Sequence, residues 1–290
     1  MPPFRSAPGA ATENAQANIL DLVHQKRWKE VAAVAQNQSR KHPNDPANFY
    51  WLGVARLQLQ DPVGAVLAFR SSEKLGLDTS LLHEGLGLAD YHLNQFFLFE
   101  QQMVKASNLD PQDPRPPYYL GRYYLTIRSD PARGLVFLEK AMQLRPEYPQ
   151  SLYQKGDCLE LLERAKEARD DYARAIGLLD KQHQPFGWPY QGMARLLLEE
   201  NPQEALGFAR KAVEVEPHEY SHHLILAKVY ERLGNLPEAL REAQSASHED
   251  PDSSAARYAL VKLYQKSGDL QSSKTELKIF EKLKAVYGPQ

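Results

Sequence analysis

The sequence predicts an all-α solenoid of about eight stacked helix–turn–helix repeats, and three regularities predict it. Gly53, Gly87 and Gly121 recur at intervals of 34 residues, and Gly156 follows 35 later. Pro43, Pro111, Pro146, Pro217 and Pro251 are separated by 68, 35, 71 and 34 residues, close to one or two multiples of the same period. Between these markers, small and aromatic residues return at fixed phases. A period of this length belongs to hairpins that bury their apolar faces only by stacking on neighbours.

The repeats run in order as 12–45, 46–79, 80–113, 114–148, 149–185, 186–219, 220–253 and 254–287, after a disordered lead-in over 1–11. The first is the most degraded, with Val31 and Gln38 at small-residue positions. That is expected of a terminal repeat with one face toward water. The second places Ala65, Phe69 and Ser72 at its positions 20, 24 and 27, and Leu77 where proline is usual. In the third, Ala106 and Pro111 keep phase but Phe99 replaces a small residue, so this hairpin is expected to splay or shift its register. The fourth opens on Asp113-Pro114-Arg115-Pro116-Pro117-Tyr118-Tyr119, whose prolines favour an extended turn. Its Gly134 falls in place only after a one-residue insertion.

The fifth repeat has Ala168, Tyr172 and Ala175 in phase, Asp180 in place of proline, and about three extra residues before the sixth. Trp188, in that insertion, reads either as a plug for the widened gap or as an exposed anchor. Ala205, Ala212 and Pro217 mark the sixth, and Tyr264 and Gly268 the eighth. The seventh is the clearest, with Ala227, Tyr230, Gly234, Ala239, Ala246 and Pro251. Gly288-Pro289 ends the last helix, which runs from about Gln271 to Tyr287. Its Lys274, Lys278 and Lys282 form one stripe, read as the solvated outer face of a cap.

The pattern has a physical logic. Small residues at positions 8, 20 and 27 let paired helices approach. Gly234 and Gly268 supply the left-handed conformation that ends a first helix, and the recurrent prolines stop the second.

On these residues the chain resembles the tetratricopeptide repeat family over nearly everything after the first dozen residues. The resemblance implies a right-handed superhelix whose first helices line a concave groove. By its phases the groove would carry Tyr50, Trp51 and Val54, then Glu84, Leu88, Tyr91 and His92, then Tyr118, Tyr119 and Arg122. Next come Tyr153, Gln154, Asp157 and Glu160, then Tyr190 and Gln191, then Lys228 and Arg232, and finally Tyr258, Lys262 and Lys266. Of these, the aromatic residues can instead pack between adjacent first helices. The family's carboxylate clamp for chaperone tails is not expected, since Tyr50 and Val54 stand where lysine and asparagine would be needed.

Composition narrows the function. A net charge of −2 with 25% charged residues argues against a generic nucleic-acid surface. No stretch approaches 18 apolar residues, so no membrane span is expected, and the default compartment is the cytoplasm. The lone Cys158 reads as a packed thiol. His218-Glu219-Tyr220-Ser221-His222 fits the zinc-protease pattern HExxH, but Pro217 puts its first histidine in a turn. No phosphate loop, nucleophile elbow or dinucleotide fingerprint occurs. The expectation is a non-catalytic, cofactor-free scaffold for a protein or peptide partner. An assembly subunit acting through its end or convex faces, with self-association, is the alternative, and a zinc hydrolase at His218–His222 a distant third.

Overall fold

A computed structural model describes residues 13–182 and 184–287; the lead-in over 1–11, His183 and the closing Gly288-Pro289 lie outside the described residues. The described residues form sixteen α-helices and no strand. They divide into two compact bodies, one ending at Tyr123 and one beginning at Tyr124. The first body holds α1 (Glu13–His24), α2 (Trp28–Lys41), α3 (Pro46–Gln58), α4 (Pro62–Lys74), α5 (Ser80–His92), α6 (Phe96–Leu109) and most of α7 (Arg115–Thr126). The second continues with α8 (Pro131–Leu144), α9 (Pro149–Leu161), α10 (Ala165–Gln182), α11 (Trp188–Leu197) and α12 (Pro202–Val215). It closes with α13 (Tyr220–Arg232), α14 (Leu236–Glu249), α15 (Ser254–Ser267) and α16 (Leu270–Tyr287).

Helix ends follow from local chemistry. Pro43, Pro111, Pro146, Pro217 and Pro251 each stand two residues past a second helix, where no further N–H is available to continue it. Asp45, Asp61 and Asp130 each precede a proline in the first helical position. Their carboxylates accept the N–H of Ala47 (3.0 Å), Gly64 (2.8 Å) and Arg133 (3.0 Å). Gly234 and Gly268 take φ of 76° and 82°, as their position requires. At the equivalent place in other hairpins, Lys26, Gln60, Asn94 and Glu163 hold the same left-handed conformation without glycine.

Within each body the hairpins stack in chain order: α3 touches both α4 and α5, and α11 touches α9, α12 and α13. Ala65, Ala168, Ala205 and Ala239 are fully buried where the paired helices meet. One device recurs between hairpins. The Phe69 ring enters from α4 between Gly53 on α3 and Gly85 on α5; a Cβ on either glycine would stand 2.6 Å from it. Tyr172 enters from α10 between Gly156 on α9 and Gly192 on α11, at 2.3 and 2.7 Å. Glycine is needed at these places because a ring occupies the room of a side chain.

Two expectations need correction. The α5–α6 hairpin neither splays nor shifts. Its three-residue connection matches that of α3–α4, and its packing is as extensive as any. Phe99 is buried and fills space against Tyr91 and Tyr123, with ring centroids at 5.3 and 5.1 Å. Pro116 and Pro117 do not form an extended turn. They lie in the first turn of α7, where backbone N–H groups lack helical acceptors and proline removes nothing.

Candidate functional site

The first body carries a cavity of about 40 Å³ on the face shared by α3, α5 and the start of α7. Tyr50, Val54 and Leu57 line it from α3, Glu84 and Leu88 from α5, and Arg115 and Tyr119 from α7. Phe69 closes it from behind, so the ring that spaces the hairpins also forms the floor.

Gln58 adds an amide to the lining, and Glu84 and Arg115 add its charged groups, with Asp113 held against Arg115. Asp113 accepts hydrogen bonds from two nitrogens of the Arg115 side chain, Nε to Oδ1 at 2.9 Å and to Oδ2 at 3.1 Å, and Nη2 to Oδ2 at 2.5 Å. It also accepts the Arg115 backbone N–H at 3.0 Å, fixing the entry of α7. The guanidinium is therefore committed to Asp113. Glu84 Oε2 lies 3.3 Å from Arg115 Nη2 but receives no hydrogen bond, although the residue is only 6% exposed. Burial pushes the Glu84 carboxyl up to about 7, the Arg115 charge opposing and the Asp113 charge adding to the rise. The neighbouring Tyr50 hydroxyl is also raised, first by burial and then by the Glu84 charge.

The other groove candidates divide into packing and surface. Trp51 is buried edge-on to Tyr50 at 5.2 Å, so its ring offers no area to a partner. Tyr50 is as deeply buried, although its edge reaches the cavity. Tyr91 is half-buried between Phe96 and Phe99. Tyr118 and Tyr119 are half-buried side by side, and the exposed Arg122 guanidinium sits 5.8 Å over the Tyr118 ring.

In the second body, Tyr153 and Tyr190 are buried, and the Tyr190 hydroxyl donates to Asp180 at 3.0 Å. Lys228 is exposed. Tyr258 is 45% exposed with the Lys262 ammonium 4.9 Å over its ring, a cation–π pair on the surface.

Asp157 belongs to a closed network. The Tyr172 hydroxyl donates to Asp157 at 2.7 Å, while Arg195 Nη2 donates to Asp157 at 2.6 Å and Nε to Glu160 at 2.6 Å. Burial raises the Asp157 carboxyl, and Arg195 works against that rise. With its partners in place, this cluster holds α9 to α11 together and has little to offer a ligand. Cys158, beside it, is a buried thiol pushed up to about 12 by burial. Trp188 is half-buried between Tyr153 (5.9 Å) and His222 (5.1 Å), packing at the start of α11 just after the insertion.

The two histidines of the HExxH match are held apart. His218 precedes α13 and its exposed ring meets Glu249 at 3.2 Å. His222 is buried with Nδ1 on Gln191 (2.5 Å) and Nε2 facing Glu216 (3.2 Å). Among the described residues, no three histidine, cysteine or acidic side chains are grouped to hold a metal ion.

Sequence reasoning gave Glu84, Val54, Leu88 and Tyr119 as groove residues, read Asp113 and Arg115 only as part of a turn, and did not single out Arg195. The missing signal was available in phase: Arg115 is at the second position of its repeat, beside the fifth position of the preceding one, Glu84.

Tetratricopeptide repeat models match residues 149–178, 196–254 and 226–273. No curated protein matches the chain in sequence. Among solved structures it is similar to a chain of the APC/C hetero-tetramer Cut9-Hcn1, with a TM-score of 0.74 and 13% identity over 88% of this chain and 49% of that one. Yeast Tom70 is similar at a TM-score of 0.63 and 17% identity, over 97% of this chain and 63% of that one. The C-terminal part of a TPR repeat-containing protein from Cytophaga hutchinsonii is similar at 0.58 and 17%, over 84% and 98%. The chain spans about half the length of the first and less than two thirds of the second. At these identities the likeness is one of fold.

Proposed function

Because this chain is a tetratricopeptide-repeat protein, we propose that it is a non-catalytic scaffold that binds a segment of a protein or peptide partner along its first helices. The observation that carries this reading is the cavity between α3, α5 and α7. It joins apolar lining to an incompletely satisfied carboxylate, the mixture that gives a binding site both area and orientation. A face already built in the free protein would have little to order on binding, which favours affinity.

The test is a pull-down from the source cell's lysate with the full chain, beside a Tyr118→Ala/Tyr119→Ala/Arg122→Ala variant of unchanged helicity. Partners kept by the wild type and lost by the variant support the first-helix face. Equal retention by both moves the interface elsewhere.

A second reading, assembly through the outer face, draws on the second helices of the first body. Leu67 on α4 and Phe97 on α6 are 64% and 71% exposed, large apolar side chains left in water. A mass that rises with concentration and falls back in Phe97→Glu would favour it.

A further inference from the structure

We propose that the cavity between α3, α5 and α7 is a subsite for the end of a lysine side chain carried by the bound segment; this rests on the scaffold reading above. Three observations point to that chemistry.

The first is charge. Asp113 and Glu84 bring two negative charges and Arg115 one positive, and Arg115 spends its fork on Asp113. With both carboxyls ionised one negative charge is left over; burial alone favours the protonated Glu84, and a bound cation would hold it ionised. The second is the unused acceptor. Glu84 Oε2 is buried, lines the cavity and accepts no hydrogen bond. An occupant that donates a hydrogen bond satisfies this oxygen in the ionised carboxylate, and a cationic donor also cancels its charge. An anionic one would meet Glu84 head on.

The third is size. One water-sized sphere takes about 10–15 Å³. The cavity, at about 40 Å³, has room for an ammonium and its last methylenes. A guanidinium is a planar fork that needs two matched acceptors, whereas an ammonium is compact and rotates its three donors. Val54, Leu57, Leu81 and Leu88 give the rest of a four-carbon stem an apolar wall.

The probe is n-butylammonium chloride, the lysine side chain without its backbone, titrated into the full-length protein with labelled Leu and Val methyls and Glu carboxyls. Affinity on the order of millimolar is the scale for five heavy atoms. Saturable shifts of the Val54 and Leu88 methyls and of the Glu84 carboxyl are expected. The isosteric neutral 1-butanol should bind at least tenfold more weakly, and Glu84→Gln should lower butylammonium affinity at least tenfold while leaving butanol unchanged. Absence of saturable methyl shifts would overturn the subsite. Equal binding of butanol and butylammonium would overturn the cation and leave an apolar dimple. Either result is independent of the lysate experiment, so the subsite and the scaffold reading fail separately.

Discussion

Gly156→Ala and Gly207→Ala are the same substitution in two helices of the same body, and the structure gives them opposite signs. An alanine in a helix interior gains about 1 kcal/mol over glycine. At Gly207 on α12 a new Cβ meets nothing within 4 Å, so that gain is expected in full. At Gly156 it would stand 2.3 Å from Cε1 of Tyr172, more than 1 Å inside ordinary contact. The ring cannot retreat, because Gly192 lies against its other side and its hydroxyl is held by Asp157 at 2.7 Å and Arg195 at 3.1 Å.

Overpacking of a fixed core costs about 1–3 kcal/mol, and this site belongs at the upper end. Net, Gly156→Ala should lose about 2 kcal/mol where Gly207→Ala gains about 1. Urea unfolding followed by circular dichroism compares the two. A repeat array need not unfold in one step, so amide exchange across α9–α11 is measured alongside. In a Tyr172→Leu background the Gly156→Ala penalty should shrink, since the two sites share one space. A Gly156→Ala protein as stable as Gly207→Ala, with unchanged exchange in α9–α11, would refute the wedge argument.

Other outcomes follow from features of the same kind. Gln60 holds φ of 61° at the end of α3, a conformation costing non-glycine residues about 1–2 kcal/mol, so Gln60→Gly should stabilise modestly, by about 0.5–1 kcal/mol after the entropy cost of glycine. The Glu84 carboxyl is raised to about 7 from an unfolded value near 4.5, so the folded state holds the proton more tightly. Stability should therefore fall as pH rises from about 4.5 to 7, and Glu84→Gln should flatten that fall and be more stable at pH 8 by up to about 3 kcal/mol in urea titrations. In histidine NMR titrations His223, held by Glu242 at 2.8 Å, should titrate above the ordinary value; the stability it adds is present at low pH and lost as pH rises through its folded value. His222 should titrate below the ordinary value because burial disfavours its charge, and it therefore costs stability as pH falls.

The repeat fold was legible because its signals are local. Proline two residues past a helix, aspartate before one, and alanine where two helices touch each act within a single hairpin. The left-handed helix ends were only partly legible, since Lys26, Gln60 and Glu163 adopt a conformation their chemistry does not announce. The site was harder. Whether Tyr50 and Trp51 face a groove or a neighbour depends on where Phe69 places its ring, a contact across two helices. Glu84 and Arg115 sit 31 residues apart, and only stacking of successive first helices brings their charges within 3.3 Å.

The ring that passes from one hairpin into a glycine-lined slot of the next makes the repeats directional. Phe69 finds Gly85, the sixth residue of the hairpin that begins at Ser80. The sixth residue of its own hairpin, which begins at Pro46, is Trp51. A tandem duplication of 46–79 would therefore confront Phe69 with an indole instead of a slot. At the two joints built this way, by Phe69 and by Tyr172, hairpins are thus not exchangeable beads: the hairpin that supplies the ring is keyed to its successor, and their order is recorded in the joint between them.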